Sequence, residues 1–306
     1  MAINSTRDLS SVRRRLVTGK FQRHSLLYRK RYYRYREVAS ALTRVLCLDV
    51  GAAHFPHQKW WLFMNSGAVS WAAIDPDECS LAYTEHWPWK CDVTPFPVPV
   101  ASSSELRTLY RTKQGTGSSL LQIRERDNPL YSYSSKESEY FFPISNEKIR
   151  TVAIEEIVSK FDTQSVKLLK LDTQGSEYEI LSGYKRHLEN GTTAVVETEV
   201  SLLDISPYIN APRLDDFMSF LRPLDFELLC LEVHGKQPTI ERSRQLTRVS
   251  EADATFFLKP EIAIAAGVEV STVLLASYIT YGLFDEARYL LHRDERLKRN
   301  FVRVSL

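Results

Sequence analysis

The sequence predicts a mixed α/β fold, with a mostly parallel sheet that carries an antiparallel edge, a basic N-terminal extension and a C-terminal helical hairpin. Three observations carry this expectation. From residue 44 onward, short β-rich runs (RVLCLDV, GAVSWAAID, TPFPVPVAS, VKLLKLD, TTAVVETEV) alternate with helical stretches, the pattern of a parallel sheet covered by helices on both faces. Twelve Lys or Arg stand against two acidic residues over positions 1–44, so this end carries +10 and the remainder −8. The tail from residue 261 changes to apolar groups at three- and four-residue spacings. With 43% hydrophobic and 25% charged residues, the composition excludes general disorder and a membrane bundle.

Residues 1–43 form the basic extension, with a basic helix expected from about Ser25. Its stretch from Arg29 to Arg36 interleaves Tyr28, Tyr32, Tyr33 and Tyr35 with Arg and Lys. Three readings stay open there: a solvated helix face, a contact with anionic phosphate or a membrane surface, and an RNA contact. Nothing specifies nucleic-acid sequence readout, so a nucleic-acid partner is disfavoured. No apolar run of secretory-signal length interrupts the Arg and Lys of residues 1–42. Cys47, Cys79, Cys91 and Cys230 form no CxxC pair, and reduced thiols in a cytoplasm are the expectation.

The body spans residues 44–260. VKLLKLD is short and bounded by turn residues, so it reads as a buried strand, and a helix should open at Glu177 with acidic residues in its first turn. FELLCLEV and DATFFLKP are expected to pair at one sheet edge. Residues 105–150, rich in Ser, Tyr and charge, are longer than an ordinary connection and read either as a functional lid or as irregular surface. In the tail, residues 261–306, Gly282 marks the turn of the hairpin. The polar Ser271, Thr272, Ser277 and Thr280 inside the apolar region argue for helices packed on protein rather than a membrane span.

The run VLCLDVGAA ends a strand in Asp49, with Gly51 where the chain must turn tightly. One βα unit later, GAVSWAAIDPD ends a strand in Asp75, where a carboxylate can accept hydrogen bonds from both hydroxyls of a ribose. A dinucleotide would need a G-x-G-x-x-G turn for its diphosphate, and the stretch from Gly51 to Pro56 holds a single glycine. A nucleoside cofactor without phosphates, S-adenosylmethionine, suits this turn better.

LDVGAA, AIDPD, ASSS and above all LLKLDTQGSEYEILSG resemble the FkbM methyltransferase domain, whose hallmark is similar to LLKIDVQGxExxVLxG. The resemblance covers about residues 45–260. It implies a Rossmann-like class I methyltransferase fold, S-adenosylmethionine as cofactor, and O-methylation of a hydroxyl on a sugar, glycan or secondary metabolite. Carried over, Asp49, Gly51, Ala52 and Ala53 flank the methionine part, Asp75 and the adjoining Pro76 meet the ribose, and Ser102 sits near the adenine. Phe55 stands where the family commonly has glycine.

Methyl transfer to a hydroxyl is mainly a matter of positioning, with a carboxylate or imidazole as assisting base. Asp172, ending the fourth strand, is the first candidate, and its alternative role is a helix cap. Glu197 and Glu199 end the fifth strand and face the same side; Glu199, nearer the rim, is the second candidate. His54 and His57 lack a fixed third ligand, so no metal is expected. Trp60, Trp61, Trp71, Trp87 and Trp89 read mostly as packing rather than a sugar platform. Two functions remain in view, an active methyltransferase and a catalytically inactive binding or assembly module of the same fold. The sequence leaves a homo-oligomer open.

Overall fold

The structure, a computed structural model, describes residues 34–43, 45–53, 58–64, 66–78, 81, 90–113, 115–124, 142–161, 165–202, 206–233, 236–238, 247–249 and 251–301. His54, Phe55, His57, Cys79, Trp87 and Trp89 lie outside the described residues, as does the basic stretch up to residue 33. In chain order the strands are β1 (Val45–Val50), β2 (Val69–Ile74), β3 (Asp92–Phe96), β4 (Val100–Ala101), β5 (Leu106–Thr112), β6 (Pro143–Arg150), β7 (Val152–Ala153), β8 (Val166–Leu171), β9 (Val195–Ser201), β10 (Phe226–Val233), β11 (Lys236–Pro238), β12 (Thr247–Val249) and β13 (Glu251–Leu258).

Seven of them make the central sheet, in the order β10-β13-β9-β8-β1-β2-β3. The ladders from β3 through β9 are parallel, whereas β13 runs antiparallel to both β9 and β10. The two late runs thus pair as expected, with β13 inserted between β9 and β10. Every residue of β1 is buried, as are all but one of β8 and of β9, which is why these runs are apolar without strict alternation: both sheet faces are covered.

One expected strand divides. TPFPVPVAS supplies only its first part to β3, and Val100–Ala101 pairs with β7 away from the main sheet. Pro97 and Pro99 offer no N–H to a ladder, so the run cannot continue; Pro95 is tolerated because β3 is an edge strand.

Of the basic stretch Arg29–Arg36 only its end, from Arg34, is described, and Arg36 there is exposed while Tyr35 is buried. Residues 34–39 are helical, and Tyr35, Val38 and Leu42 are buried in the same core as the sheet, with the Tyr35 ring edge-on to Phe63 at 5.3 Å. Their spacing of three and then four residues lays one apolar stripe among the arginines.

Among the described residues the tail holds four helices, Pro260–Ala266, Val268–Tyr281, Phe284–Arg293 and Glu295–Asn300, with Gly282 in the left-handed conformation between the second and third. Val268–Tyr281 is buried along most of its length. Its polar residues are accommodated there because Thr272, Ser277 and Thr280 donate their hydroxyls to the carbonyls of Val268, Val273 and Ala276 one turn back. No helix among the described residues is long and apolar enough to cross a membrane. Trp60 and Trp71 are core residues, packed edge to face with ring centroids 5.9 Å apart.

Candidate functional site

The strand order reverses at β1, which has β2 on one side and β8 on the other, and open α/β sheets bind ligands at the carboxyl ends of the strands beside such a point. There the chain folds so tightly that Gly51 has no substitute. It sits at φ +81°, and an added Cβ would lie 1.8 Å from the carbonyl oxygen of Asp172. The Asp172 amide donates to the Val50 carbonyl at 2.8 Å, which locks the two strand ends together. The Gly51 and Ala52 amides both donate to the Ile74 carbonyl, at 2.8 and 3.0 Å, so they brace β1 against β2 rather than offering a row of free N–H groups.

A cavity of about 470 Å³ opens at this edge. Gly51 and Ala53 line it from β1, Asp75 and Pro76 from β2, and Asp172 with Gln174 from β8. Val98 and Val100 form an apolar wall. Among the described residues of the insertion at 105–150, β5 and β6 form a two-stranded arm, and Leu109, Arg111, residues 115 and 116 and residues 118–120 line the cavity. Segment 115–124 is strapped across the site, through Ser119 Oγ to the Gln174 carbonyl (2.6 Å), Ile209 N to the Gln122 carbonyl (2.8 Å) and Arg124 N to the Pro207 carbonyl (2.9 Å).

The carboxylates differ in state. Asp75 accepts the Asp77 amide at 2.7 Å, which fixes its rotation. Burial, aided by the charges of Asp77, Asp49 and Asp172, pushes its carboxyl up to about 6. Asp172 has 38% of its side chain exposed and accepts from Gln174 Nε2 at 3.0 Å, with Lys170 Nζ 3.5 Å away. It does not cap the following helix, Glu177–Gly183, whose N-cap Ser176 makes no side-chain cap bond. Glu177 reaches back instead, accepting the amides of Thr173 at 2.7 Å and Gly175 at 2.9 Å, and so shapes the turn. Burial raises its carboxyl to about 6 despite these bonds.

Four sequence candidates stand off the cavity wall. Asp49, 1% exposed, forms an ion pair with Lys170 Nζ at 3.0 Å. Burial opposes the charge of Lys170, but Asp49, Asp172 and Glu197 overrule it and hold the ammonium well above the ordinary lysine range. Ala52 is buried. Ser102 donates its hydroxyl to Glu179 Oε1 at 3.0 Å and packs against Gly183, so it is engaged with the helix Glu177–Gly183 rather than with the cavity. Glu199 lies behind Gln174, 2.7 Å from Nε2, where burial and then the Asp172 charge push it well above the usual carboxylate range. Its neighbour Glu197 is held in a separate buried cluster by Lys59 at 2.9 Å, by Trp60 and by Tyr281. Among the described residues no three His, Cys, Asp or Glu side chains come together as a metal site.

The family described as Methyltransferase FkbM domain matches residues 49–228, more than half of the chain. The chain belongs to the FkbM methyltransferase family. No curated protein matches it. In this FkbM methyltransferase the matched segment contains every residue named on the cavity wall, and it stops three residues into β10, before β13 and the tail helices.

Gln174 and Tyr208 also belong to this region, Gln174 on the cavity wall and Tyr208 bonded to it at 2.7 Å, and neither is among the sequence candidates. Gln174 occupies the third position of DTQG with φ +60°, a conformation that a side chain other than Gly, Asn or Asp seldom adopts. That a polar residue precedes Gly175 in the family hallmark was the available signal; Tyr208 left none, because its contacts span long sequence separations.

Proposed function

We propose that this methyltransferase moves the methyl group of S-adenosylmethionine to a hydroxyl oxygen of a sugar, glycan or secondary metabolite. The observation that carries the reading is the meeting of Asp75 and Asp172, from strands on either side of β1, on one cavity wall. The residues fit a phosphate-free nucleoside cofactor. The cavity is of ligand size, it joins a carboxylate to an apolar wall, and the Gly51 and Ala52 amides, already bonded to Ile74, make no cradle for a diphosphate.

Asp75 would accept the ribose hydroxyls, since a carboxylate has about four lone-pair sites and the Asp77 amide takes one. Val98 and Val100 would flank the base, and Gly51 with Ala53 the amino-acid end. The cofactor's sulfonium supplies an already activated methyl, so the chain's task is to align an acceptor oxygen and take its proton. Asp172 suits the second role: it faces the cavity, retains exposure and is held by Lys170 and Gln174. Glu199, buried behind Gln174 and inclined to keep its proton, suits it less.

Calorimetry with S-adenosylmethionine and its demethylated product, together with mass-resolved methyl incorporation into cell extracts, tests the reading. Heat of binding and a labelled product are expected; no binding at millimolar ligand would overturn it, and binding without any methyl transfer would point to the inactive module. Asp172→Asn should slow transfer by about 100- to 10,000-fold at unchanged cofactor affinity.

A further inference from the structure

Behind the Asp172 carboxylate lies a hydrogen-bonded arrangement that the methyl-transfer reading does not use. The Gln174 Nε2 amide nitrogen is 3.0 Å from Asp172 Oδ1 and 2.7 Å from Glu199 Oε2, while Gln174 Oε1 accepts from the Tyr208 hydroxyl at 2.7 Å. An amide nitrogen carries two hydrogens, so a single side chain serves both carboxylates, and Tyr208 holds its oxygen on the opposite side. The backbone is fixed too: the Gln174 carbonyl accepts Ser119 Oγ from the strap over the cavity, and the residue stays in a left-handed conformation that only a well-determined surrounding maintains.

We propose that Gln174 is a positioning residue, whose amide bridges Asp172 to Glu199, aims the Asp172 carboxylate into the cavity, and is itself kept in one sense by Tyr208. Glu199 then serves as the inner anchor rather than as a second base. The geometry favours this because Glu199 and Tyr208 border a separate, smaller pocket behind the turn, whereas Asp172 and Gln174 are both on the cavity wall. The acidic surroundings give the bridge its purpose. Asp172, Glu177, Glu251 and Asp253 all repel a negative Glu199, and Lys170 pairs with Asp49 and Asp172 instead. Without a donor between them, two carboxyl groups so placed would turn apart or compete for one proton.

The proposal rests on Asp172 assisting methyl transfer, and two variants test it. Gln174→Asn tolerates the left-handed backbone and keeps an amide that is one methylene too short to span both carboxylates. Tyr208→Phe keeps the ring and removes the hydroxyl. With glutamate labelled at the side-chain carboxyl carbon, and the Glu199 signal assigned through Glu199→Gln, NMR titration of the full chain should find the Glu199 midpoint raised further in Gln174→Asn, by about one pH unit or a tenfold change in proton affinity, because a hydrogen bond to its charged form is lost. Tyr208→Phe should move it less in the same direction. Midpoints unchanged in both variants would overturn the bridge. Methyl incorporation into extract should fall about tenfold or more in Gln174→Asn with product affinity within twofold, whereas undiminished incorporation would overturn the positioning role. If the wild-type protein transfers no methyl at all, the methyl-transfer reading fails while the carboxyl titration still decides the bridge.

Discussion

Two turns of this molecule look alike in sequence and do different work. β1 ends in LDVG and β8 in LDTQG, each an apolar strand, an aspartate and a glycine. Asp49 is still inside its ladder, opposite Lys170 of β8, so its side chain projects from the sheet face into the core and is neutralised there. Asp172 lies just past the last residue of β8, and its side chain reaches the cavity. The glycines differ as well. Gly51 lets two backbones touch, while Gly175 follows a left-handed Gln174 and opens the turn that Glu177 closes. A shift of two residues relative to the strand end separates an aspartate that holds the sheet together from one that faces the cavity.

Substitutions should pull the two turns apart. The largest effect belongs to Gly51→Ala, which drives a methyl group into the Asp172 carbonyl at a positive φ; a loss of about 4 kcal/mol or more is expected, read as a shifted denaturant midpoint. Asp49→Ala comes next, at about 3 kcal/mol, because it strands Lys170 as a buried charge with one weaker partner. Cofactor affinity should change little in either Asp49→Ala or Asp172→Asn; Asp49→Ala should lose stability, whereas Asp172→Asn should lose rate at unchanged stability. Equal stability losses at Asp49 and Asp172 would erase the distinction.

A pH series sharpens the comparison at β2, the strand on the other side of β1 from β8. The folded state raises the Asp75 carboxyl from 3.8 to about 6, so its contribution to stability is fully present below about pH 4 and is lost as pH rises through 6. The proposed ribose contact, made by the ionised carboxylate, would run the opposite way. Affinity for S-adenosylmethionine should therefore be level above about pH 7 and fall by up to about tenfold per pH unit below 6, while Asp75→Asn should bind weakly at every pH. A wild-type affinity flat from pH 5 to 8 would move the ribose contact elsewhere. The smallest effect is expected at Ser102→Ala, where calorimetry should find affinity changed by less than about twofold, since the hydroxyl is bonded to Glu179 of the helix Glu177–Gly183.

Local pattern was enough for much of the fold. The runs that became β1, β2, β8 and β9, and the pairing of FELLCLEV with DATFFLKP, could be read because apolar stretches bounded by turn residues state their own ends. What depends on a particular hydrogen bond could not. Ser102 follows a strand as the family pattern has it, yet nothing in ASSS tells that Glu179, 77 residues later, will take its hydroxyl. Glu199 reads as a rim carboxylate until Gln174 is seen in front of it. The stripe of Tyr35, Val38 and Leu42 was present in the sequence but hidden by the charge around it, since six Arg or Lys between residues 29 and 44 dominate any average over the window.

The place of β13 bears on how the chain acquires its shape during synthesis. β10 is made before β13 but can join the main sheet only through it, because β13 lies between β10 and β9. As the chain emerges from the ribosome, β9 waits with one open edge and β10 has no sheet neighbour until residues 251–258 appear. An early pairing of β10 directly onto β9 would have to be undone before β13 could take its place. β13 is thus the keystone of that side of the sheet, and a nascent chain stalled before residue 251 leaves an unpaired edge exposed to aggregation.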